Sequence, residues 1–323
     1  MTNFNLTYLQ IMKKFIITAL TIVFLASCSS DPNDENIITN ANKISKDLVA
    51  FKNQDDFEKT IKSFSEFKKK EDFQGWINNR GHKSLLNNIN DSNLDQIEML
   101  PLLYQAVLNE NLEFKIGENI VNFKDGIFYE TNPLENSNAK IIGTSKVELL
   151  SVDEKLQNRD MNMSDTYKEY KQFKRISYSE DCGNASNNAL NFRLVHELKA
   201  RKSSVGSLGT SELSMNFRMS YDAGNGWADA NSTKRLLSYN LSGYIWGIGG
   251  GFPSGGSSSS FSISDNYSCT NPASGNIREV LQLMDYVSGF GTTPKWSINI
   301  NGSVTHSVNG DDYSNEWNHS INW

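Results

Sequence analysis

Leu213-Ser214-Met215-Asn216-Phe217-Arg218-Met219-Ser220-Tyr221 alternates apolar and polar side chains without a break. A period of two belongs to a β-strand, whose successive side chains point to opposite faces, so this stretch has one face for a core and one for polar surroundings. The same alternation recurs at Leu190, Phe192 and Leu194, then at Leu237, Tyr239, Leu241 and Ile245, and again at Trp296, Ile298, Ile300, Val304 and Val308. Residues 280–287 are a more continuous apolar strand. Gly, Ser and Asn turns lie between these runs, and the Gly/Ser-rich stretch 247–260 reads as a loop. Residues 181–323 therefore read as an all-β, sandwich-like domain, and about 140 residues are ample for one such core.

Upstream the period changes. Residues 41–109 carry helical signals: Phe57, Ile61 and Phe64 share a face, Asp55 and Asp56 stand at the start, and Lys68-Lys69-Lys70 stand at the end. That charge order suits the helix dipole. Pro101 interrupts a further helical stretch between Leu94 and Leu108. Leu112 to Ile116, Asn119 to Phe123 and Ile127 to Glu130 then read as a small meander with turns at Gly117-Glu118 and Lys124-Asp125-Gly126. The expected fold class is α+β: a small helical plus β-meander N-terminal unit over residues 41–130, followed by the all-β C-terminal domain. Residues 131–180 are polar and read as a linker, with Lys146 to Leu150 as one possible strand.

The first residues are an address. Lys13 and Lys14 precede an apolar run at 15–26, too short to span a membrane comfortably but right for a signal-peptide core. Leu25-Ala26-Ser27-Cys28 follows and reads as a lipobox, making residues 1–27 a lipoprotein signal peptide and Cys28 the lipidated residue. Met12 is an alternative start. Residues 28–40, with Asp31, Asp34 and Glu35, form an acidic tether. The expected location is the outer membrane, lipid-anchored and facing outward. In that oxidising compartment Cys182 and Cys269 read as a disulfide, closing a loop worth roughly 4 kcal/mol of chain entropy. The net charge of −6 and the lack of a basic stripe argue against nucleic acid as a partner.

Three sequence pieces resemble an uncharacterised type of Bacteroidota envelope lipoprotein. They are Leu48-Val49-Ala50-Phe51-Lys52-Asn53-Gln54-Asp55-Asp56-Phe57, Gly81-His82-Lys83-Ser84-Leu85, and Val107-Leu108-Asn109-Glu110 running into Ile116-Gly117 and Asp125-Gly126. The resemblance covers roughly the first 130 residues. It implies an envelope location and brings no activity or site residues.

No catalytic motif is complete, and no cofactor is expected. His196-Glu197 starts like a zinc-protease helix, but Ala200 stands where the second ligand belongs. No nucleophile elbow or phosphate loop is present; Ser254 and the 247–251 glycines fall in the low-complexity loop. Asp311, Asp312 and Glu316, or Asp222 and Asp229 with Asn225, lack the spacing of a calcium loop and read as turn residues. His196, His306 and His319 share parity with inward apolar neighbours. They are candidate zinc ligands, weighed against the favoured reading of three separate hydrogen-bonded core histidines, because parity fixes a face and not proximity. Tyr244 and Trp246 fall on the polar-facing side with Ser238, Asn240 and Ser242. Flat rings beside short polar groups suit a sugar; the alternative is that another layer covers them. The leading functional reading is a non-enzymatic surface binding or adhesion protein with glycan as ligand. The alternatives are an assembly partner of another envelope protein and a hydrolase with an unrecognised site.

Overall fold

The computed structural model describes residues 48–67, 69–88, 94–134, 138–150, 167–174, 191–230, 235–248, 257–270, 276–287, 294–308 and 315–323. Cys28, Cys182, the 1–27 leader, the tether and Asp311 and Asp312 lie outside them, as does the side chain of Cys269.

After a two-residue strand β1 (Ala50–Phe51), four helices appear: α1 (Gln54–Ser63), α2 (Lys70–Arg80), α3 (Leu94–Met99) and α4 (Leu102–Val107). The Asn53 side chain caps α1 by accepting from Asp56 N, and α1 buries only Phe57 and Ile61. α2 ends at Gly81 with φ +68, a left-handed cap that glycine adopts at little steric cost. α4 follows Pro101 directly and is buried on every side.

The meander strands are β2 (Glu113–Ile116), β3 (Asn119–Lys124), β4 (Ile127–Thr131) and β5 (Lys140–Leu149). β6 (Lys168–Lys174), β7 (Asn191–Val205), β8 (Leu208–Asp222) and β9 (Trp227–Asp229) come next. The chain finishes with β10 (Arg235–Ile248), β11 (Ser257–Thr270), β12 (Asn276–Val287), β13 (Lys295–Val308) and β14 (Trp317–Asn322).

These strands make two sheets. The larger has ten strands in the order β1-β2-β3-β4-β5-β7-β8-β12, with β6 also on β7 and β9 also on β8; the smaller runs β11-β10-β13-β14. β7 is long enough to take two partners along one edge, β5 against Lys199 to Val205 and β6 against Asn191 to Glu197. The tight β7–β8 turn places Gly206 at φ +62.

The α+β expectation is corrected here. The molecule is mostly β, with few and small helices. The meander does not form a sheet of its own, because β5 hydrogen-bonds to β7 from Gly143 to Leu149 and so joins the meander to the C-terminal strands. Residues 48–323 pack as one compact unit. The stretch read as a linker supplies β5 and β6, and six of the fourteen residues of the Gly/Ser stretch belong to the paired strands β10 and β11.

Packing follows from parity. Leu213, Met215 and Phe217 of β8 face the small sheet, meeting Leu237, Tyr239, Leu241 and Ile300 in one cluster. The helices cover the other face of the large sheet at its hairpin end, where Val205 and Leu208 join Phe57, Phe73 and Phe114. The layers run helices, large sheet, small sheet.

Candidate functional site

The small sheet has no third layer described on its outer face. On β10, its central strand, Leu237, Tyr239, Leu241 and Ile245 are buried inward. The residues between them point out, so Tyr244 is 50% exposed and Trp246 41%. Register places Tyr244 between Ser260 of β11 and Asn299 of β13, and Trp246 between Ser258 and Ser297. Close strand approach helps hold the platform: a Cβ on Gly243 would lie 2.1 Å from Asn299 O, so only glycine fits there.

The three histidines meet between the sheets. His196 on β7 reaches across to β13 and β14 of the other sheet: its Nδ1 lies 2.9 Å from His319 Nδ1, and its Nε2 lies 3.1 Å from His306 Nδ1. Trp317 stacks on His196 at 4.1 Å and on His319 at 4.5 Å between centroids. This is a file, not a tetrahedral corner. Zinc needs one nitrogen from each ring about 2.0–2.1 Å from a single point, whereas His196 commits its two nitrogens to two different neighbours. Among the described residues no group of three His, Cys, Asp or Glu is placed to hold a metal.

The file is electrically quiet. Burial, then the proximity of the other imidazoles and of Arg235, holds His196 well below its ordinary value. Burial and Arg235 do the same for His306. Both are neutral at neutral pH. At the outer end, His319 Nε2 lies 3.0 Å from Glu169 Oε2. Trp323 Nε1 donates to Glu169 Oε1 at 2.9 Å, and these contacts, His319 foremost, lower the Glu169 carboxyl.

Sequence reasoning missed a third cluster, on the opposite face of the large sheet. Arg201 is fully buried there. It donates to Ser214 Oγ at 2.6 Å, Asn216 Oδ1 at 3.2 Å, Glu98 Oε2 at 3.1 Å and the Glu98 carbonyl at 2.9 Å, and pairs with Glu212 at 3.4 Å. Glu212 accepts from Leu102 N at 2.7 Å, and Arg278 donates to Leu100 O at 2.9 Å. The network thus clamps the Pro101 corner between α3 and α4 onto the sheet. Burial alone would raise the Glu98 carboxyl, but Arg278, Arg201 and Lys199 together bring it down to about 2. The signal was present as charged residues at alternate positions of β7, Glu197, Lys199 and Arg201, which a half-buried strand rarely tolerates unpaired.

Among the described residues, Glu279, Asp229 and Asp222 each have their own partners and form no open acid–base pair. Glu279 is raised by burial and accepts from Tyr239 at 2.5 Å and Tyr267 at 3.1 Å, but those rings enclose it within the sandwich. Asp229 pairs with Arg218 at 2.6 Å, and Asp222 accepts from Gly224 N at 2.9 Å in a turn.

No family model matches the sequence, and no curated protein matches it. A crystal structure of a DUF4848 family protein from Bacteroides thetaiotaomicron is similar over 86% of this chain and 98% of that one, with 14% identity and a TM-score of 0.19. A likeness at that score carries no argument about this chain.

Proposed function

We propose that the protein is a non-enzymatic binding protein, lipid-anchored through Cys28 and facing out of the outer membrane, and that it holds glycan on the outer face of the small sheet. One observation carries the binding reading: Tyr244 and Trp246 stay open on a face where their neighbours are Ser and Asn. A ring face offers a sugar its apolar C–H side, while the neighbouring hydroxyls and amides take its hydroxyls. Contiguous exposed apolar surface rimmed by polar residues is the kind of patch that marks a contact site.

The test is a glycan array on the purified full-length protein in mild detergent, followed by Trp246→Ala. Binding should fall about tenfold in the variant, equivalent to about 1.4 kcal/mol. An array without hits, or hits indifferent to the substitution, removes the reading. Intact mass of the native N-terminal peptide tests the anchor separately: acyl chains on Cys28 support it, and an unmodified cysteine ends it.

A further inference from the structure

The two rings occupy one end of a larger field. Three further ranks of outward side chains cross the sheet beyond Tyr244. On β10 they are Ser242, Asn240 and Ser238; on β13, Asn301, Ser303 and Thr305. β11 and β14 contribute only Ser and Asn to the same ranks. Among the described residues, charge appears only at the borders, with Lys295 beside the Trp246 end and Glu316 next to Asn318 at the other.

That composition is unusual. A surface designed to stay patch-free carries about 25–35% charged residues, and 21% of this whole chain is charged, yet among the described residues the field between those borders has none. Long charged side chains lose up to about 2 kcal/mol of rotamer freedom when a ligand orders them, whereas Ser, Thr and Asn lose less. Each hydroxyl and amide also both donates and accepts, as a sugar hydroxyl does. Some are already fixed: Asn301 Nδ2 donates to Asn299 Oδ1 at 2.6 Å, and Thr305 Oγ1 to Asn318 Oδ1 at 2.7 Å. From Ser238 to Trp246 the field is about 27 Å long at the antiparallel rise of about 3.4 Å per residue, room for several linked sugar rings.

Resting on the glycan reading above, we propose that the ligand is an extended, uncharged polysaccharide lying along β10 and β13, with Tyr244 and Trp246 stacking one end of it. A uronate or sulfated chain would have to shed the water around each charge with no cation in the field to replace it.

The full-length protein in mild detergent is tested by affinity electrophoresis against neutral linear polysaccharides (a β-glucan, a xylan and a mannan) and against polygalacturonate and heparin, at low and high salt. The proposal expects retardation by a neutral chain, changed less than twofold by salt. It also expects hexasaccharides of the retained chain to bind at least tenfold better than disaccharides. Asn240→Asp, which puts one charge in mid-field, should weaken binding at least tenfold while Trp246 remains in place; Asn240→Ser, with an unchanged melting temperature, is the folding control. Retention of charged glycans only, equal binding of disaccharide and hexasaccharide, or indifference to Asn240→Asp overturns the extended-chain proposal. In those cases loss of binding in Trp246→Ala still upholds the ring-pair reading. Concentration-dependent dimers in sedimentation that Asn240→Asp dissolves would also overturn it, by giving the field to a second copy of the chain. No retention of any glycan ends both.

Discussion

Both sheets have an outer face, and the two are furnished in opposite ways. The outer face of the large sheet carries Arg201, Glu212 and Arg278 beneath the Pro101 corner, where Glu98 of α3 meets them, every charge held by a partner. The outer face of the small sheet carries short uncharged side chains open to solvent. A covered polar face needs charges that answer one another, because a lone buried charge is intolerable. An open face can leave its hydrogen-bonding capacity unspent. The first arrangement is an internal fastening of this chain, and the second is available to something outside it.

The largest effect should come from breaking the fastening. Arg201→Met leaves the buried Glu212 with Arg278 alone, and the partly buried Glu98 with Arg278 and Lys199, and should destabilise by about 3–5 kcal/mol in urea unfolding. The comparison sharpens if Arg201→Met and Arg278→Met combined with Glu98→Gln and Glu212→Gln regain most of that loss, since replacing a buried ionic cluster whole is often near neutral. A single substitution that costs under about 1 kcal/mol would mean that water reaches the cluster.

Acid should loosen the same face in a defined window. Glu98 is held at about 2 against an ordinary 4.5. A lowered carboxyl contributes stability that is complete above its unfolded value and disappears as pH falls through its folded value, so roughly 3 kcal/mol should drain between pH 4.5 and 2. Glu98→Gln should flatten that window. A second, separate loss belongs to the histidine file. His196 and His306 are lowered from 6.5, so their neutral forms favour the fold and stability begins to fall below pH 6.5. Urea titrations across pH 8 to 2, on the parent and on Glu98→Gln, separate the two losses. A single loss abolished whole by Glu98→Gln would deny the file any part.

How much of this was legible depends on sequence distance. The inward parity of Leu213, Met215 and Phe217 was readable because neighbours two apart on a strand decide it. The outward placement of Tyr244 and Trp246 follows from the same alternation. The pairing of β5 with β7 was not readable, since it joins Leu149 to Lys199 across a stretch with no periodic signal, and that pairing makes the meander part of the large sheet and not a sheet of its own. Arg201 and Glu98 lie 103 residues apart, and nothing local tells an arginine which carboxylate it will meet. The histidines shared parity, but His196 stands on one sheet and His306 and His319 on the other, so their meeting required knowing which sheets stack.

The smallest expected effect is the most discriminating one for the open face. Ser242→Ala and Ser303→Ala each remove a hydroxyl that points to solvent, and surface changes of this kind stay within about 0.5 kcal/mol of parent stability. In the covered face the equivalent deletion, Ser214→Ala, takes a 2.6 Å acceptor from Arg201 and should cost about 1–3 kcal/mol, the penalty of leaving a buried charged donor short of a partner. Chemically these are one and the same substitution; only the cover differs. Equal unfolding midpoints for Ser214→Ala and Ser242→Ala would show that the two faces are not distinguished by what they fasten. A clear gap, with Ser242→Ala as stable as the parent, leaves the Ser242 hydroxyl free of structural duty and open to a ligand.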